Sequence, residues 1–598
     1  MKKFERLTAV ILVFVLTLLL SFTAFAEDAE SVPVSTPRNE TLYIGGLQSV
    51  KANNANPFSS VSQLMAQGQA DNADCVVYET LYMYNMLNGE LYPLLADGDP
   101  ETDEERTCIT VKLKEDAHWS DGSPLTTADV QATWQTHQKY KSTYGVDFGK
   151  YISAVEAVDE LTVVIRANEK NYNFLKMEQY LHYLFVAQKE YLEAKSAEYG
   201  DDAEGFKNDG WWDAPHSGPY DITVHNDEKV LYERDDNYWG QAESMWVALP
   251  HPKYLCHNIY TGNDAQAVAF EAGEIDVNQQ FMPNVWTYWE EKGLPISTYL
   301  YEPPYHLDAQ MPSLYFNCQK EGLNQAVVRR ALSMAIDYNQ IIASAMSGYS
   351  YTFTEIPRSL FSPLNQDLYQ KCCEITDLEA LNFAGRDVEG AGIMLDEAGI
   401  IDTDGDGIRE YNGINITARC ECPAGFTDWN AALEIVAEAG REIGLGLETY
   451  FPETSVWNED IQTGNFDIAM NSMGGVGVAQ PWSGAYLGLY GWGGEFPERI
   501  TNGYSRWYNE EADALLAEIP TLDPESERYV EAWARLNEIY LTECPNISLM
   551  YRPAYFHTVN ETVWTGFPEA DDGSDIPPTV CVGGYGIAAL YNIVPIEE

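Results

Sequence analysis

A β-hairpin is predicted for residues 217–240, whose sequence is SGPYDITVHNDEKVLYERDDNYWG. The Gly218-Pro219 pair starts a turn, and an extended run of alternating residues follows it. A polar turn at 226–228 leads into a second extended run, which ends in the charged and aromatic tail ERDDNYWG. This pattern requires one antiparallel pair of strands but does not by itself identify a fold.

Strands and helices are both predicted along the rest of the chain. Residues 107–113 alternate apolar and polar positions, which is typical of a half-buried strand. Thr126, with Asp129 three positions later, predicts the start of a helix. Other segments give a second hairpin, over 155–157 and 161–167, and amphipathic helices over 325–341 (behind Asn324 as a cap), 426–440 and 524–541. The predicted fold class is therefore α/β, with mixed sheets flanked by helices.

Four motifs occur in a distinctive order. They are WSDGSPLTTADV at 119–130, the predicted hairpin, YFN at 315–317 and VVRRALSMAID at 327–337. In this order, from about Leu42 to about Arg552, the sequence resembles family 5 of the extracytoplasmic solute-binding proteins of ABC importers. The resemblance implies a non-catalytic, monomeric receptor that captures an oligopeptide or an oligosaccharide and delivers it to a membrane permease. The permease's ATPases would supply the energy, and a metal chelate is an alternative solute.

The resemblance also implies a two-lobed fold of the periplasmic-binding-protein type, with an extra subdomain. Lobe I would comprise residues 42–308 and a C-terminal return over 545–598, with the subdomain at about 76–211. Lobe II would comprise residues 309–544. The chain would cross between the lobes twice, and Pro303-Pro304 would stiffen the first crossing. Two crossings form a hinge, so the expected motion is closure of the lobes on a solute.

The first 26 residues have the features of a secretory signal. Lys2, Lys3 and Arg6 precede an apolar run over 7–22, and Ala24-Phe25-Ala26 is a small-x-small cleavage site. Residues 27–41 are polar and are predicted to be a disordered leader. Position 27 is Glu, so the lipobox cysteine of many relatives is missing. The protein is expected to be exported, to a periplasm or to the cell surface.

The chain is strongly acidic, with 92 Asp and Glu against 35 Lys and Arg and a formal net charge of −57. Such a charge repels nucleic acid, so no nucleic-acid partner is expected. The same charge would attract cationic solutes or simply keep the protein soluble, and composition does not separate these roles. The ten cysteines have no spacing typical of a disulfide framework, so disulfides and reduced thiols remain alternatives.

The family's peptide binders hold the free amino terminus with an Asp a few residues before a Pro in lobe II. The equivalent stretch here is 466–494, and the Asp position falls near Gly477, before Pro481. No acid lies between Asp467 and Glu495. The carboxylate that usually anchors a free-amine peptide is therefore predicted to be missing. Burying the ammonium of such a peptide without it would be unfavourable.

Glycines and aromatic residues occupy this stretch instead, and they supply most of the predicted ligand-binding residues. Flat rings beside glycines suit stacking on sugar faces, and equally suit pockets for an uncharged peptide. Each ring taken singly is as well explained by packing in the core. The predicted residues are Trp482, Gly475, Gly477, Tyr486 and Trp492, with Tyr490 beside them, and Trp457, Phe58 and Tyr305 from other loops.

The sequence DTDGDGIRE, residues 402–410, matches the first half of a calcium loop. Its ligands would be the side chains of Asp402, Asp404, Asp406 and Glu410 and the backbone of Ile408. The twelfth position, normally a bidentate Glu, is Gly413. A structural calcium ion and a solvated acidic turn are therefore both consistent with the sequence, and no other cofactor is expected.

Motifs of the common enzyme classes are missing from the sequence. It contains no GxSxG nucleophile elbow, no P-loop lysine motif and no dinucleotide fingerprint. A secreted glycosidase remains the alternative from another class, because it would need only two placed carboxylates and a sugar-binding cleft.

Overall fold

The computed structural model describes residues 35–46, 54–59, 76–260, 262–382, 385–553, 556–578 and 584–597. The predicted signal and most of the predicted leader lie outside these residues. Thr41–Gly45 begins a seven-stranded mixed sheet, in which it lies parallel to both of its neighbours. The strand order is Ile296–Thr298, Thr558–Asn560, Val277–Asn278, Thr41–Gly45, Tyr254–Asn258, Lys229–Arg234 and Tyr220–His225.

The hairpin predicted for 217–240 is confirmed. Strands Tyr220–His225 and Lys229–Arg234 pair antiparallel at the edge of the seven-stranded sheet. The tail of the hairpin turns inward, where Tyr238 and Trp239 hydrogen-bond the fully buried carboxyl of Glu79. The motif therefore fastens the first sheet to the segment that opens the predicted subdomain.

A four-stranded antiparallel sheet lies within the predicted subdomain. Residues 108–112 form the predicted strand, with Ile109 and Val111 buried, and Thr126 and Asp129 form the predicted capping box. The strand order is Glu101–Thr102, Cys108–Lys112, Thr162–Ala167 and Ile152–Ala157, and Tyr82–Tyr84 pairs separately with Leu91–Pro93. The helices here are Thr127–Tyr140, Thr143–Phe148, Phe174–Tyr183, Lys189–Tyr199 and Ala203–Asn208.

A six-stranded sheet forms the centre of the second lobe. Its long strand Asp308–Phe316 is buried along most of its length and pairs with three others. The path runs Gly446–Tyr450, Thr417–Glu421, Ile468–Gly474, Asp308–Phe316 and Asn546–Ser548, and Arg552–Pro553 also pairs with Asp308–Phe316. The main helices of this lobe are Ala326–Ala335, Gln366–Cys373, Val388–Glu397, Thr427–Glu442, Thr454–Thr463, Trp482–Leu489, Glu510–Glu518 and Glu527–Glu543.

Smaller elements complete the described structure. Two further strand pairs are Glu410–Tyr411 with Ile414–Asn415, and Trp564–Thr565 with Val594–Pro595. The shorter helical segments are Arg38–Glu40, Trp239–Gln241, Asn263–Glu271, Thr287–Glu290, Tyr338–Gln340, Ile341–Ala345, Pro363–Asn365, Glu379–Leu381, Trp492–Gly494, Ile519–Thr521 and Tyr585–Tyr591. Within the described residues, no helix has the length and apolar character needed to cross a membrane.

Three boundaries differ from the sequence prediction. The helix predicted over 325–341 ends at Ala335, because Ile336 is extended and Asp337 caps a separate short helix by accepting a hydrogen bond from Gln340 N. The chain does not return to the first lobe at residue 545, since Asn546–Ser548 and Arg552–Pro553 still pair within the second sheet. The end of the predicted leader is ordered, because Arg38 forms an ion pair with the buried Asp276.

The eight cysteines that the structure describes are all free thiols. They include Cys372, Cys373, Cys420 and Cys422, for which pairing was one alternative. Burial raises the pKa of the Cys372 and Cys422 thiols to about 12, because a buried thiolate loses its hydration. These thiols therefore stay protonated and pack as small apolar side chains.

Candidate functional site

A cavity of about 630 Å³ lies between the subdomain and the second lobe. One wall consists of side chains from 141–151 with Lys176, Tyr183 and Lys207, and the other of residues from 474–487 with Thr501 and Asn502. Its volume falls within the range typical of ligand pockets, and a molecule inside it would touch both halves of the fold.

The wall from the second lobe is built on helix Trp482–Leu489, which lies against the end of strand Ile468–Gly474. A β-carbon at Gly484 would come within 2.7 Å of the backbone nitrogen of Gly474, so only glycine permits this close approach. The helix can therefore rest directly on the strand end. Two turns of the helix then place Ser483, Tyr486 and Leu487 at the cavity.

Four aromatic rings contact one another in sequence along this helix and the turn that follows it, the first three stacked and the last tilted. The ring centroids are 5.0 Å apart between Trp482 and Tyr486, 4.5 Å between Tyr486 and Tyr490, and 5.2 Å between Tyr490 and Trp492. The spacing of four residues puts the first three rings on one face of the helix. Of the four, Trp482 and Tyr486 line the cavity, so the stack holds these two rings in a fixed orientation.

Trp482 and Tyr486 differ in how much they offer to a ligand. Trp482 is 2% exposed, and its indole N–H already donates to the carbonyl of Leu516 at 2.8 Å. Tyr486 is half-buried and hydrogen-bonds the hydroxyl of Tyr151 on the opposite wall. Burial, followed by the neighbouring Tyr151 and Tyr490, raises the pKa of Tyr486, so its hydroxyl is neutral at physiological pH. Of these two rings, Tyr486 is therefore the one more available for contact with a solute.

The loop between the strand and the helix, residues 475–481, packs against the subdomain and contributes Gln480 to the cavity, but the predicted ligand residues Gly475 and Gly477 do not line it. Gly475 N donates to the carbonyl of Ala309 at 3.1 Å. Gly477 has φ 138°, which favours glycine, and a β-carbon there would lie 3.4 Å from the His182 ring and 3.6 Å from the Tyr183 hydroxyl. Tyr84 also hydrogen-bonds the Gly477 backbone. Gly477 is therefore a point of close contact between the two halves of the fold, whereas Gly475 bonds within the second lobe.

Lysines dominate the wall from the subdomain. Helix Thr127–Tyr140 ends at Lys141, which has a left-handed φ of 49°, and Ser142 then caps helix Thr143–Phe148. Lys176 Nζ lies 2.8 Å from Asp147, and Lys150 Nζ lies 3.9 Å from the same carboxylate. Tyr144, Tyr151 and Tyr183 separate the lysines. The wall therefore combines positive charge with tyrosine hydroxyls.

A family model described as "Bacterial extracellular solute-binding proteins, family 5 Middle" matches residues 90–495, more than half of the chain. The chain belongs to this family. The two-lobed fold of the family 5 protein agrees with its solved relatives. An oligopeptide ABC transporter periplasmic oligopeptide-binding protein from Thermotoga maritima, solved with bound mannohexaose, superposes with a TM-score of 0.79. It is 27% identical, and the match covers 94% of this chain and 100% of that one.

Curated relatives of the family 5 protein carry different names. A probable peptide-binding protein, YejA, from Agrobacterium fabrum is 26% identical over 48% of this chain and 46% of its own length. The nickel-binding periplasmic protein of Escherichia coli is 25% identical over 64% of this chain and 67% of its own length. The chain therefore spans less than half of the first relative and about two thirds of the second.

Several predicted ligand residues of the family 5 protein lie elsewhere in the fold. Phe58 is 1% exposed and packs against His137, Phe206 and Trp211 in a small aromatic core, so the expectation that it faces the cleft is wrong. Tyr305 is likewise buried, among Trp286, Trp289 and Tyr349. Neither residue lines the cavity. The sequence pattern of a buried ring and of a ligand-facing ring is the same here.

Trp457 and Trp492 are half-buried but also lie off the cavity. Trp457 belongs to helix Thr454–Thr463 and packs against the core of the second lobe. Trp492 ends the aromatic stack, and its indole N–H donates to the carbonyl of Asn502 at 2.9 Å. Asn502 lines the cavity and Trp492 does not. Trp492 therefore supports the wall of the cavity from behind.

Sequence reasoning missed the whole wall from the subdomain. One signal for it was the segment KYKSTYGVDFGKY, residues 139–151, in which lysines and tyrosines are dense for so acidic a chain. Lys176, Tyr183 and Lys207 had no such signal, because they reach the cavity only through the packing of separate helices.

The acidic loop at 402–410 brings together part of its predicted ligand set. Carboxylate oxygens of Asp402, Asp404 and Glu410 lie within 4.8 Å of one another. All of them also accept hydrogen bonds from the loop: Asp402 from the N–H groups of Gly405 and Gly407, Asp404 from that of Asp406, and Glu410 from that of Thr403. Asp406 instead accepts from Ile408 N and from Asn415 Nδ2. The donor set fits a cation only in part, and the turn is closed by its own backbone.

Proposed function

We propose that this family 5 protein is the extracytoplasmic receptor of an ABC importer and binds its solute in the cavity between the subdomain and the second lobe. The observation that supports this most directly is the Tyr486 ring, presented to a cavity whose walls come from both halves of the fold. A solute in contact with both walls favours the closed form by its differential affinity for that form. The closed surface would then dock on a membrane permease, and the partner ATPases would drive transport.

An oligosaccharide fits the cavity better than a free-amine peptide does. The wall from the second lobe contributes a flat aromatic ring, a serine and an asparagine but no carboxylate. The one carboxylate in the lining, Asp147, lies 2.8 Å from Lys176 and so is already paired. A bound ammonium would have to displace that lysine. The mannohexaose bound to the Thermotoga maritima relative supports the same choice.

A receptor fits the cavity better than a glycosidase does. Glycosidases place two carboxylates about 5–9.5 Å apart around the scissile bond. The described lining of the cavity contains Asp147 as its sole carboxylate. We infer a monomeric, non-enzymatic binder that requires no cofactor and acts outside the cytoplasm, in a periplasm or at the cell surface. Incubating the protein with mannohexaose and finding smaller products would contradict this inference.

Replacing Tyr486 by alanine is expected to weaken mannohexaose binding about tenfold, because an aromatic contact contributes about 1 kcal/mol beyond its buried area. Replacement by phenylalanine keeps the ring and should retain most of the affinity. Isothermal titration calorimetry measures both variants. Tyr450→Ala removes an exposed tyrosine on the edge strand Gly446–Tyr450 and serves as the control. Unchanged affinity in Tyr486→Ala would place the binding site elsewhere.

The acidic loop is expected to behave as a turn and not as a calcium site. Its carboxylates are engaged by loop N–H groups, and the backbone hydrogen bonds from Gly407 and Gly405 lower the pKa of Asp402. We expect the same thermal unfolding midpoint in millimolar calcium chloride and in EDTA. A higher midpoint in calcium that is lost in Asp404→Asn would instead establish a structural ion.

A further inference from the structure

The charge of the cavity is opposite to that of the chain. Acidic residues outnumber basic ones 92 to 35 in the sequence, whereas the described cavity lining contains four lysines and one carboxylate. The lysines come from separate elements: Lys141 and Lys150 flank helix Thr143–Phe148, Lys176 lies on helix Phe174–Tyr183 and Lys207 on helix Ala203–Asn208. Tertiary packing, and not local sequence, therefore gathers them.

Two of these lysines are engaged with acids, and two have capacity to spare. Lys176 is 14% exposed and lies 2.8 Å from Asp147, and Lys207 lies 2.7 Å from Glu204. Lys150 is 50% exposed, and its ammonium lies 3.9 Å from Asp147. This contact is longer than the one that Lys176 makes with the same carboxylate. Lys141 is exposed, and no acidic partner for it occurs among the described residues. Both lysines follow helix ends, at Tyr140 and Phe148, where positive charge is favourable, and both side chains remain exposed at the cavity.

We infer that the solute carries a carboxylate, held by Lys141 and Lys150, while an uncharged flat part of the same molecule stacks on Tyr486. This inference rests on the proposed function, because it concerns the same cavity. The strongly acidic chain repels anions overall, so a local group of lysines lowers the barrier for an anionic solute at this cavity. An acidic oligosaccharide and an acidic peptide share the required carboxylate.

The test compares probes that differ only in charge. Calorimetric titrations at low ionic strength would use mannohexaose against a mannuronate hexamer, and an aspartate-rich hexapeptide against its asparagine counterpart, both N-acetylated and C-amidated so that the asparagine peptide carries no carboxylate. We expect a charged probe to bind more tightly than its neutral counterpart, and the pair that shows this identifies the source of the carboxylate. Added salt should reduce the difference, since exposed charges are screened within about 10 Å at 0.1 M.

Variants of the lysines separate this inference from the function itself. Lys141→Gln with Lys150→Gln is expected to weaken the charged probe about fivefold and leave its neutral counterpart unchanged. Lys170→Gln removes an exposed lysine of the same subdomain that is off the cavity, and should change neither. The carboxylate inference is overturned if charged and neutral probes bind with equal affinity, or if the double variant binds the charged probe as tightly as the wild type does. Either result leaves the proposed receptor function intact. Binding of no probe at all would overturn both.

Discussion

Replacing Arg329 by methionine is expected to lower the free energy of unfolding by about 4 kcal/mol, because three carbonyls would lose their donor and each buried unsatisfied acceptor costs about 1–3 kcal/mol. Arg329 is 1% exposed, and its guanidinium donates to the carbonyls of Cys544, Leu323 and Glu543 at 2.7–2.9 Å. Two of these carbonyls lie at the end of helix Glu527–Glu543, where the last carbonyls have no intrahelical partner. The methionine would fill similar space but leave all three carbonyls buried and unpaired.

The adjacent residue supplies a matched control. Arg330 is half-buried and makes a long hydrogen bond of 3.4 Å to the carbonyl of Thr542. Arg330→Met should lower stability by less than about 1 kcal/mol, because water can replace this hydrogen bond at the surface. Equilibrium unfolding in urea, followed by circular dichroism, measures both variants. Equal stability of the two variants would show that water satisfies the carbonyls that Arg329 holds.

Replacing Glu79 by glutamine is expected to change how stability depends on pH. Glu79 is fully buried, and desolvation raises its pKa to about 8 against the opposing hydrogen bonds from Tyr238, Trp239 and Ser217. Tyr238 donates to one carboxyl oxygen at 2.5 Å, and Trp239 Nε1 donates to the other at 2.8 Å. A glutamine oxygen can accept from Trp239, while the tyrosine hydroxyl can turn to accept from the amide.

The direction follows from proton binding in the two states. Below 4.5, the ordinary pKa of a glutamate, the carboxyl is protonated in both the folded and the unfolded chain. Between that value and about 8 the folded protein keeps the proton and the unfolded chain releases it. The wild-type protein therefore loses about 1.4 kcal/mol of stability per pH unit in this window through Glu79, and Glu79→Gln does not.

Urea unfolding at pH 5 and pH 8 measures the effect. The stability of Glu79→Gln relative to the wild type should rise by about 4 kcal/mol between these values. Glu115→Gln removes an exposed carboxyl of the same subdomain and should shift stability equally at both pH values. Parallel pH profiles for Glu79→Gln and the wild type would mean that Glu79 is ionised in the folded state.

Local signals predicted the local structure well. The hairpin tail, the capping box at Thr126 and the helices near 427 and 527 depend on residues close together in the sequence, and all are confirmed. The helix predicted over 325–341 failed at Ile336. Its apolar spacing continues past the break, because the next short helix packs into the same core. Periodicity therefore gave the buried face of the segment but not the backbone turn within it.

The site was less predictable, for a physical reason. Trp482 and Tyr486 could be singled out because they follow a glycine-rich loop, and both line the cavity. Phe58 and Tyr305 could not be distinguished from them, since a buried ring and a ring facing a cavity have the same local pattern. The partners of Tyr486 on the opposite wall, such as Tyr151, lie more than 300 residues away in the chain. Only tertiary packing brings them together.

The pairing of strand Asp308–Phe316 has a consequence for the order in which the protein can be made. One of its neighbours, Asn546–Ser548, comes from near the end of the chain, and the seven-stranded sheet likewise needs Thr558–Asn560. A chain still growing at residue 545 can complete neither sheet. Contacts so distant in sequence also form slowly. Neither sheet can therefore be completed before residues 546–560 have been made, whereas the four-stranded sheet needs only residues 101–167 and can form much earlier.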